Sequence, residues 1–309
     1  MTKRITLLSF LFILLLRFSP TMSIMPFDDE WVPLVIDLPL KKEEAVFGKR
    51  FRTTNDSLQG QRVDPTGLHQ LNIMGSGAFT EGQLQRASDL VNGPLFIVDL
   101  RQESHAYVNG HPVSWYGMRN WTNLHMTPKE VAQDEINRIG SLKKRHDLYL
   151  PEILTKVEDG NIWKVQFHQF KVKEVSTEAE IAARNGVGYI RLYVPDHLPP
   201  PQDQVDLFMK FFKQLPANSS LYFHCRGGVG RTTTFMVMFD IITNAKKVDL
   251  KDILLRQYVI GGKDLKNPGS ESSYKYEEAV ERLRFIENFY QYVRENKDDF
   301  QTTWSMWKG

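Results

Sequence analysis

LYFHCRGGVGRTTTFMVMFD, residues 221–240, is the stretch that decides how this chain folds. A short apolar strand at 221–223 runs into a loop that holds the only cysteine, His224-Cys225-Arg226-Gly227-Gly228-Val229-Gly230-Arg231-Thr232, and the loop delivers the chain into a buried-looking helix beginning near Thr232. Three glycines in four positions let the backbone curl with φ > 0, so that consecutive N–H groups point at one centre and form an anion nest. The helix N-terminus behind the loop adds its orphan amides and the positive end of its dipole to the same field. A cysteine in such surroundings is expected as the thiolate. Thr232 can donate its hydroxyl to that sulfur. Arg231, six residues after the cysteine, can fold back over the cradle and offer a two-pronged guanidinium to two oxygens of a tetrahedral oxyanion. The stretch reads as a nucleophile inside a phosphate cradle.

Composition bounds the rest. With 309 residues, 41% apolar and 12% aromatic, the chain can bury a full core as one large domain or two modest ones. Basic and acidic residues nearly balance, 39 against 37, and a net charge of +2 argues against nucleic acid as a partner. Any preference for a highly phosphorylated ligand must come from local clustering. One cysteine excludes an internal disulfide and a cysteine-rich metal site. No HExxH, paired-histidine cluster, Cys–His zinc spacing or GxxxxGK[ST] loop occurs, so neither metal nor cofactor is expected. Residues 1–23 look like a secretory leader, with Lys3 and Arg4, an apolar run at 5–16, and Thr21-Met22-Ser23 before a plausible cut near Ser23. Arg17 ends the run short of the roughly 20 residues a membrane span needs, and no second apolar segment follows. The mature chain, 24–309, is therefore expected to be soluble, without a membrane span, and secreted or periplasmic.

Residues 24–50 read as an extended arm; its basic residues Lys41, Lys42, Lys49 and Arg50 lead into Phe51-Arg52-Thr53-Thr54. Residues 68–79 predict a strand and glycine-rich turn, and Thr80 with Gln83 caps a helix whose stripe is Leu84, Ala87 and Val91. The apolar run 95–100 implies a strand covered on both faces, as in an α/β sheet. The tract 99–123 reads as a loop dense in His, Trp, Tyr and Arg, with Glu103 and His105 bracing the active loop rather than reacting. Thr127-Pro128 opens a helix with Val131, Ile136, Ile139 and Leu142 on its stripe. Residues 148–172 alternate in the β manner about Asp159-Gly160, a two-residue hairpin signal, and predict a small β-rich insert at about 146–175 that carries Lys156 and Lys164. Thr177 and Glu180 form a capping box, and residues 189–194 are a core strand delivering Pro195-Asp196-His197-Leu198-Pro199-Pro200, a loop stiffened around one aspartate. An amphipathic helix at 202–215 then leads back to the cysteine strand. Strand, aspartate loop, helix, strand, cysteine loop puts Asp196 and Cys225 at one carboxyl edge, on adjacent parallel strands. Helices follow at 233–242, 249–259 and 277–296, and the stretch 261–273 is the best candidate for a mobile loop. The fold class is α/β.

His224-Cys225-x-x-Gly228-x-x-Arg231-Thr232 matches the signature of the cysteine-dependent protein tyrosine phosphatase superfamily. Further segments, Pro195-Asp196-His197, Asp99-Leu100-Arg101-Gln102-Glu103-Ser104-His105, Val108-Asn109-Gly110, Trp115-Tyr116-Gly117, Phe289-Tyr290-Gln291-Tyr292 and Thr303-Trp304, resemble the bacterial protein-tyrosine-phosphatase-like inositol polyphosphatases, the cysteine phytases. The resemblance covers nearly the whole mature chain. It implies a phosphatase core, a central sheet with helices on both faces, with a small β-rich inserted subdomain, and myo-inositol hexakisphosphate as substrate. It also suggests His197 as a substrate contact beside the acid, Arg52 as a phosphate ligand at the pocket rim, and Lys164 and Lys275 as further basic contacts. At position 226 some relatives carry an acidic or neutral residue, and Arg226 here adds positive charge at the loop mouth.

The expected chemistry is phosphomonoester hydrolysis in two displacements. Cys225 attacks phosphorus while Arg231 and the amides of Arg226, Gly227, Gly228, Val229, Gly230 and Arg231 stabilise the equatorial oxygens. Asp196 protonates the leaving alcohol and then activates the water that cleaves the cysteinyl-phosphate. Two alternatives stand beside this reading. One is a secreted tyrosine, dual-specificity or phosphoinositide phosphatase, and the other a non-catalytic phosphate-binding module, against which the joint presence of Cys225, Arg231 and Asp196 argues.

Overall fold

The computed structural model describes residues 22–24, 32–40 and 45–309. The expected leader at 1–23 lies outside the described residues except for the backbone of 22–23, which belongs to a strand. In chain order the strands and helices are β1 (Met22–Ile24), β2 (Leu34–Ile36), β3 (Arg52–Thr53), β4 (Ile73–Ser76), α1 (Glu81–Ser88), β5 (Leu95–Asp99), β6 (His105–Val108), β7 (His111–Trp115) and α2 (Pro128–Leu142). Next come β8 (Asp147–Lys156), β9 (Ile162–Lys171), β10 (Val175–Ser176), α3 (Glu178–Arg184), β11 (Gly188–Arg191), α4 (Gln202–Gln214), β12 (Ser220–His224), α5 (Gly230–Asn244), α6 (Leu250–Val259), α7 (Tyr276–Glu295) and α8 (Trp304–Lys308).

The core sheet runs β11-β5-β12-β4-β3, parallel except for the edge strand β3. Because side chains alternate along a strand, the sheet feeds two apolar layers. Val98, Leu221 and Phe223 pack with Phe208, Phe235 and Phe289 of α4, α5 and α7. Ile97 and Tyr222 turn the other way, onto Leu84 of α1 and Ile181 of α3. Helix α5 is buried from Arg231 to Ile241, which is why its sequence is apolar all round. The capping boxes expected at Thr80 and Thr177 are present, and a third forms at Thr127 with Glu130.

The structure corrects five expectations. The strand carrying Asp196 and the cysteine strand are not neighbours, since β5 lies between β11 and β12. The tract 99–123 is not all loop: β6 and β7 form a hairpin whose two-residue turn is Asn109-Gly110, with φ of 52° and 79°. The insert expected at about 146–175 is the β8/β9 hairpin, and it is not a separate piece, because with β1, β2, β7, β6 and β10 it makes a second, seven-stranded sheet. Its tip is a five-residue loop, 157–161, closed by Val157 N–H donating to the Asn161 carbonyl, in place of a two-residue turn. On α2, Ile136 is exposed while Glu135 turns inward to bind Arg191 at 2.8 Å, a buried ion pair overriding the apolar stripe.

Candidate active site

Cys225 follows β12 at the carboxyl edge of the core sheet and is 3% exposed, at the base of a cavity of about 390 Å³. Its Sγ accepts the Gly228 amide and the Thr232 hydroxyl, each at 3.2 Å. Gly228 is required here by geometry. Its φ is +71°, and a Cβ on it would stand 2.3 Å from the Gly77 nitrogen. Arg231 extends from the first turn of α5 across the edge. Nη1 donates to Glu103 Oε2 at 2.6 Å and to the carbonyls of Leu100 and Val194, and Nη2 donates to Glu103 Oε1 at 3.0 Å. Its Nε has no hydrogen-bond partner among the described residues, leaving a buried donor for a bound oxyanion. The bracing role expected for Glu103 holds in the geometry, since Glu103 is a fixed counter-ion behind Arg231, while His105 faces Asp99, Glu135 and Glu178.

Asp196 enters from the loop after β11, with Oδ2 3.3 Å from Arg231 Nη2. Burial pushes its pKa up, but Arg231, His197, a hydrogen bond from Asn120 and Lys156 outweigh that and hold it well below the carboxylate range. His197 lines the cavity beside it, with φ of 72° and its carbonyl accepting from Arg282. Burial and the charges of Lys275, Arg231 and Arg282 lower its imidazole to about 4 in spite of Asp196, so it is neutral at pH 7.

The remaining expected ligands divide. Arg226, Gly227, Val229, Gly230 and Lys275 line the cavity. Arg52 does not: it is 1% exposed and lies beneath the loop, donating to the Gly228 carbonyl at 3.0 Å and to Thr233 Oγ1 at 3.0 Å. The rim position belongs to Arg50, whose Nη1 donates to the Gly227 carbonyl at 2.8 Å. Lys164 also stays out of the cavity, and Lys156 of the facing strand lines it instead, donating to Tyr116 Oη at 2.5 Å. Two further cations, Lys263 and Arg282, complete the wall. Arg282 sits at 282 in the 279, 282, 286 phase of α7, an arginine in an apolar stripe, and that was the signal available for it. Arg50, Lys156, Arg226, Lys263, Lys275 and Arg282 thus face one another across the cavity with Asp196 as the carboxylate in its lining. Their crowding shows in the titration: burial, then Arg282 and Lys275, pull Lys263 down, and burial with Arg231 brings Arg282 to about 10.

Behind the loop, Asp99, His105 and Glu178 bring potential metal ligands within 4.8 Å of one another in buried space. The site is already charge-matched. His224 Nε2 lies 2.5 Å from Glu178 Oε1, Arg191 reaches Asp99 at 3.4 Å, and Tyr189 donates to Asp99 at 2.8 Å. His105 is held protonated, its pKa raised to about 9 because Asp99 and Glu135 outweigh burial and Arg101, and a protonated imidazole is no metal ligand.

Comparison with known proteins points the same way. A family model for protein-tyrosine-phosphatase-like phytases, described by inositol hexakisphosphate, matches residues 98–243. A curated relative, the effector protein hopD2 of Pseudomonas syringae pv. tomato, is 31% identical over 91% of this chain and 60% of its own. The PTP-like myo-inositol phosphatase of Mitsuokella multacida in complex with myo-inositol-(1,3,4,5)-tetrakisphosphate superposes with a TM-score of 0.81 at 33% identity, covering 93% of this chain and 50% of that one. A PTP-like phytase from Bdellovibrio bacteriovorus gives 0.72 at 29% identity over 93% and 98% of the two chains. The chain therefore spans only 60% of the Pseudomonas relative and half of the Mitsuokella chain.

Proposed function

The chain belongs to the protein-tyrosine-phosphatase-like phytases, and from that premise we propose that it removes phosphates from myo-inositol hexakisphosphate and lower inositol polyphosphates through a cysteinyl-phosphate intermediate. The observation that carries this reading is the cavity itself: a buried nucleophile in an amide cradle, ringed by six basic side chains, of which Lys156 is lowered to about 7 by burial and Arg226. One cradle suffices for one phosphate. The ring of cations beyond it fits a substrate with several.

In the first displacement the Cys225 thiolate forms an S–P bond as the P–O bond to the inositol oxygen breaks, and that oxygen takes a proton from Asp196. In the second, Asp196 accepts a proton from the water whose oxygen bonds to phosphorus as the S–P bond breaks, releasing inorganic phosphate and returning the Cys225 sulfur. The depressed pKa of Asp196 in the free protein is compatible with an acid role, because a phosphate dianion beside Arg231 cancels the field that lowers it. Arg231, whose own pKa is raised well above its ordinary value by Asp196, Glu103 and Cys225 in spite of burial, stays charged throughout.

Phosphate release from myo-inositol hexakisphosphate in EDTA, by the wild type and by Cys225→Ser, tests the reading. Release that survives chelation and disappears in the variant is expected. Turnover of phosphotyrosine or a phosphoinositide with none of the hexakisphosphate would refute it. We extend the proposal to export by a cleaved leader, which the basic start and apolar run at 3–16 support. Mass measurement of the N-terminus of exported protein tests that part, and an uncleaved chain retained in the cytoplasm would overturn it.

A further inference from the structure

Between β7 and α2 the chain makes a single 3-10 turn, Met118–Asn120, whose last two residues are left-handed: Arg119 has φ of 56° and Asn120 of 66°. Non-glycine residues occupy that region only where their surroundings over-determine it, and such sites gather near reacting groups. The surroundings here are specific. The Arg119 guanidinium lies between the rings of Trp121 and Tyr274, at 5.1 and 4.7 Å from their centres. Trp121 Nε1 donates to the Asp196 carbonyl at 2.7 Å. Asn120 itself is 3% exposed, and its Nδ2 donates to Glu103 Oε1 at 2.9 Å and to Asp196 Oδ2 at 3.0 Å. Both acceptors are carboxylate oxygens, so the amide must present its NH₂ to them.

The hydrogen bonds divide the two oxygens of Asp196 unequally. Oδ2 accepts Asn120 and faces Arg231 Nη2 at 3.3 Å, whereas Oδ1, among the described residues, accepts the neighbouring His197 N–H at 3.0 Å and has the His197 Nδ1 no nearer than 4.0 Å. A proton taken up by this carboxyl goes to the oxygen that is not engaged by two donors. We propose that Asn120 is a positioning residue for the general acid: it ties Asp196 Oδ2 to the Glu103–Arg231 pair and so leaves the transferable proton on Oδ1. In the first displacement the Oδ1–H bond then breaks and its proton passes to the bridging oxygen as that oxygen leaves phosphorus and the S–P bond forms. The inference rests on the phosphomonoesterase reading above.

A donor to the charged form of a carboxyl also lowers its pKa. Asp196 is faced by Arg231 of α5, Arg282 of α7, Lys156 of β8 and His197 on its own loop, with Glu103 opposing them and the phenols of Tyr116 and Tyr274 nearby. Those groups remain when Asn120 is changed, so the change removes the amide alone, with its hydrogen bonds to Asp196 and Glu103.

The test uses Asn120→Gly, which accepts the left-handed backbone without a side chain, and Asn120→Ala, which also lacks the donor but strains it. Turnover is measured on myo-inositol hexakisphosphate, on glycerol phosphate and on p-nitrophenyl phosphate, whose nitrophenolate departs without a proton. Both variants are expected to lose about tenfold more kcat on the two alkyl phosphates than on the aryl one, a fraction of what general acids contribute. The alkaline limb of the alkyl-phosphate profile is expected to move to higher pH. Equal losses on all three substrates, an unmoved limb, or a selective loss in Asn120→Ala alone would overturn the proposal. A wild type that ignores the hexakisphosphate but turns over glycerol phosphate sinks the substrate assignment and leaves the inference tested.

Discussion

Replacing Asp37 by asparagine should destabilise the protein in a way that depends on pH, and the structure gives both size and sign. Asp37 follows β2, its side chain is fully buried, and it joins the second sheet to the active loop: Oδ1 binds Arg226 Nε at 2.6 Å and Oδ2 binds Arg101 Nη2 at 2.9 Å. Ser114 adds a hydroxyl at 2.6 Å. Burial raises its pKa, but Arg101, Arg226 and Ser114 prevail and bring it from 3.8 to about 2. A carboxyl lowered by that amount contributes about 2–3 kcal/mol at neutral pH. Because the folded value lies below the unfolded one, the contribution is fully present above pH about 4 and is lost as pH falls through about 2. Urea unfolding of wild type and Asp37→Asn should therefore differ by about 2–3 kcal/mol at pH 7, and by about half that at pH 3. A difference that stays constant from pH 7 to pH 3, or none at pH 7, would refute the reasoning.

The two arginines of the 50–52 segment should separate cleanly. Arg52→Ala removes the buried donor to the Gly228 carbonyl, while the Thr233 hydroxyl keeps Val229 and Lys263, and should cost about 1–3 kcal/mol in urea unfolding, whereas Arg50→Ala should raise KM for the hexakisphosphate with little change in stability; the opposite pattern would restore Arg52 to the rim. His105 has a folded pKa of about 9 against 6.5, so its contribution is complete below pH about 6.5 and disappears as pH rises through about 9. The stability difference between wild type and His105→Gln should accordingly shrink by about 3 kcal/mol over that window, and a constant difference would count against a protonated His105. Raising NaCl from about 0.05 to about 0.3 M should increase KM for the hexakisphosphate by several-fold with a smaller effect on kcat, since part of the cationic wall is solvent-exposed; a salt-independent KM would mean that the wall does not meet the substrate.

Chemistry confined to a few consecutive residues was legible in the sequence. The glycines of 227–230, the spacing from Cys225 to Arg231, the capping boxes and the proline-bounded Asp196 loop each specify their own backbone. Lys156 and Lys164 show where that legibility stops. Lys164 pairs with Thr155, so Lys156 belongs to the next position along β8, and register irregularities at 153–156 re-aim it toward the cavity. No local pattern marks such a bulge. Arg50 and Arg52 differ for a similar reason: the left-handed Arg50, with φ of 58°, turns the chain immediately before β3, and one side chain goes over the loop while the other goes beneath it.

Strand order was the larger loss, and it changes how the site works. With β5 between β11 and β12, the loops carrying Asp196 and Cys225 stand two strand spacings apart, roughly 10 Å. Contact between them has to be supplied from the carboxyl end of the middle strand. Arg231 supplies it from one side, reaching the Leu100 carbonyl beyond β5 and the Val194 carbonyl beyond β11. Glu103 supplies it from the other, gripping Arg231 with both oxygens. The tract 99–103 is therefore the span on which the Asp196 and Cys225 loops are mounted, and its density of charged side chains comes from that position. A buried ion pair of this kind is weak evidence for added stability, since both charges lose their hydration. Its consequence here is geometric: Arg231 is fixed in advance, so in the proposed reaction the cradle would not have to reorganise around a phosphate.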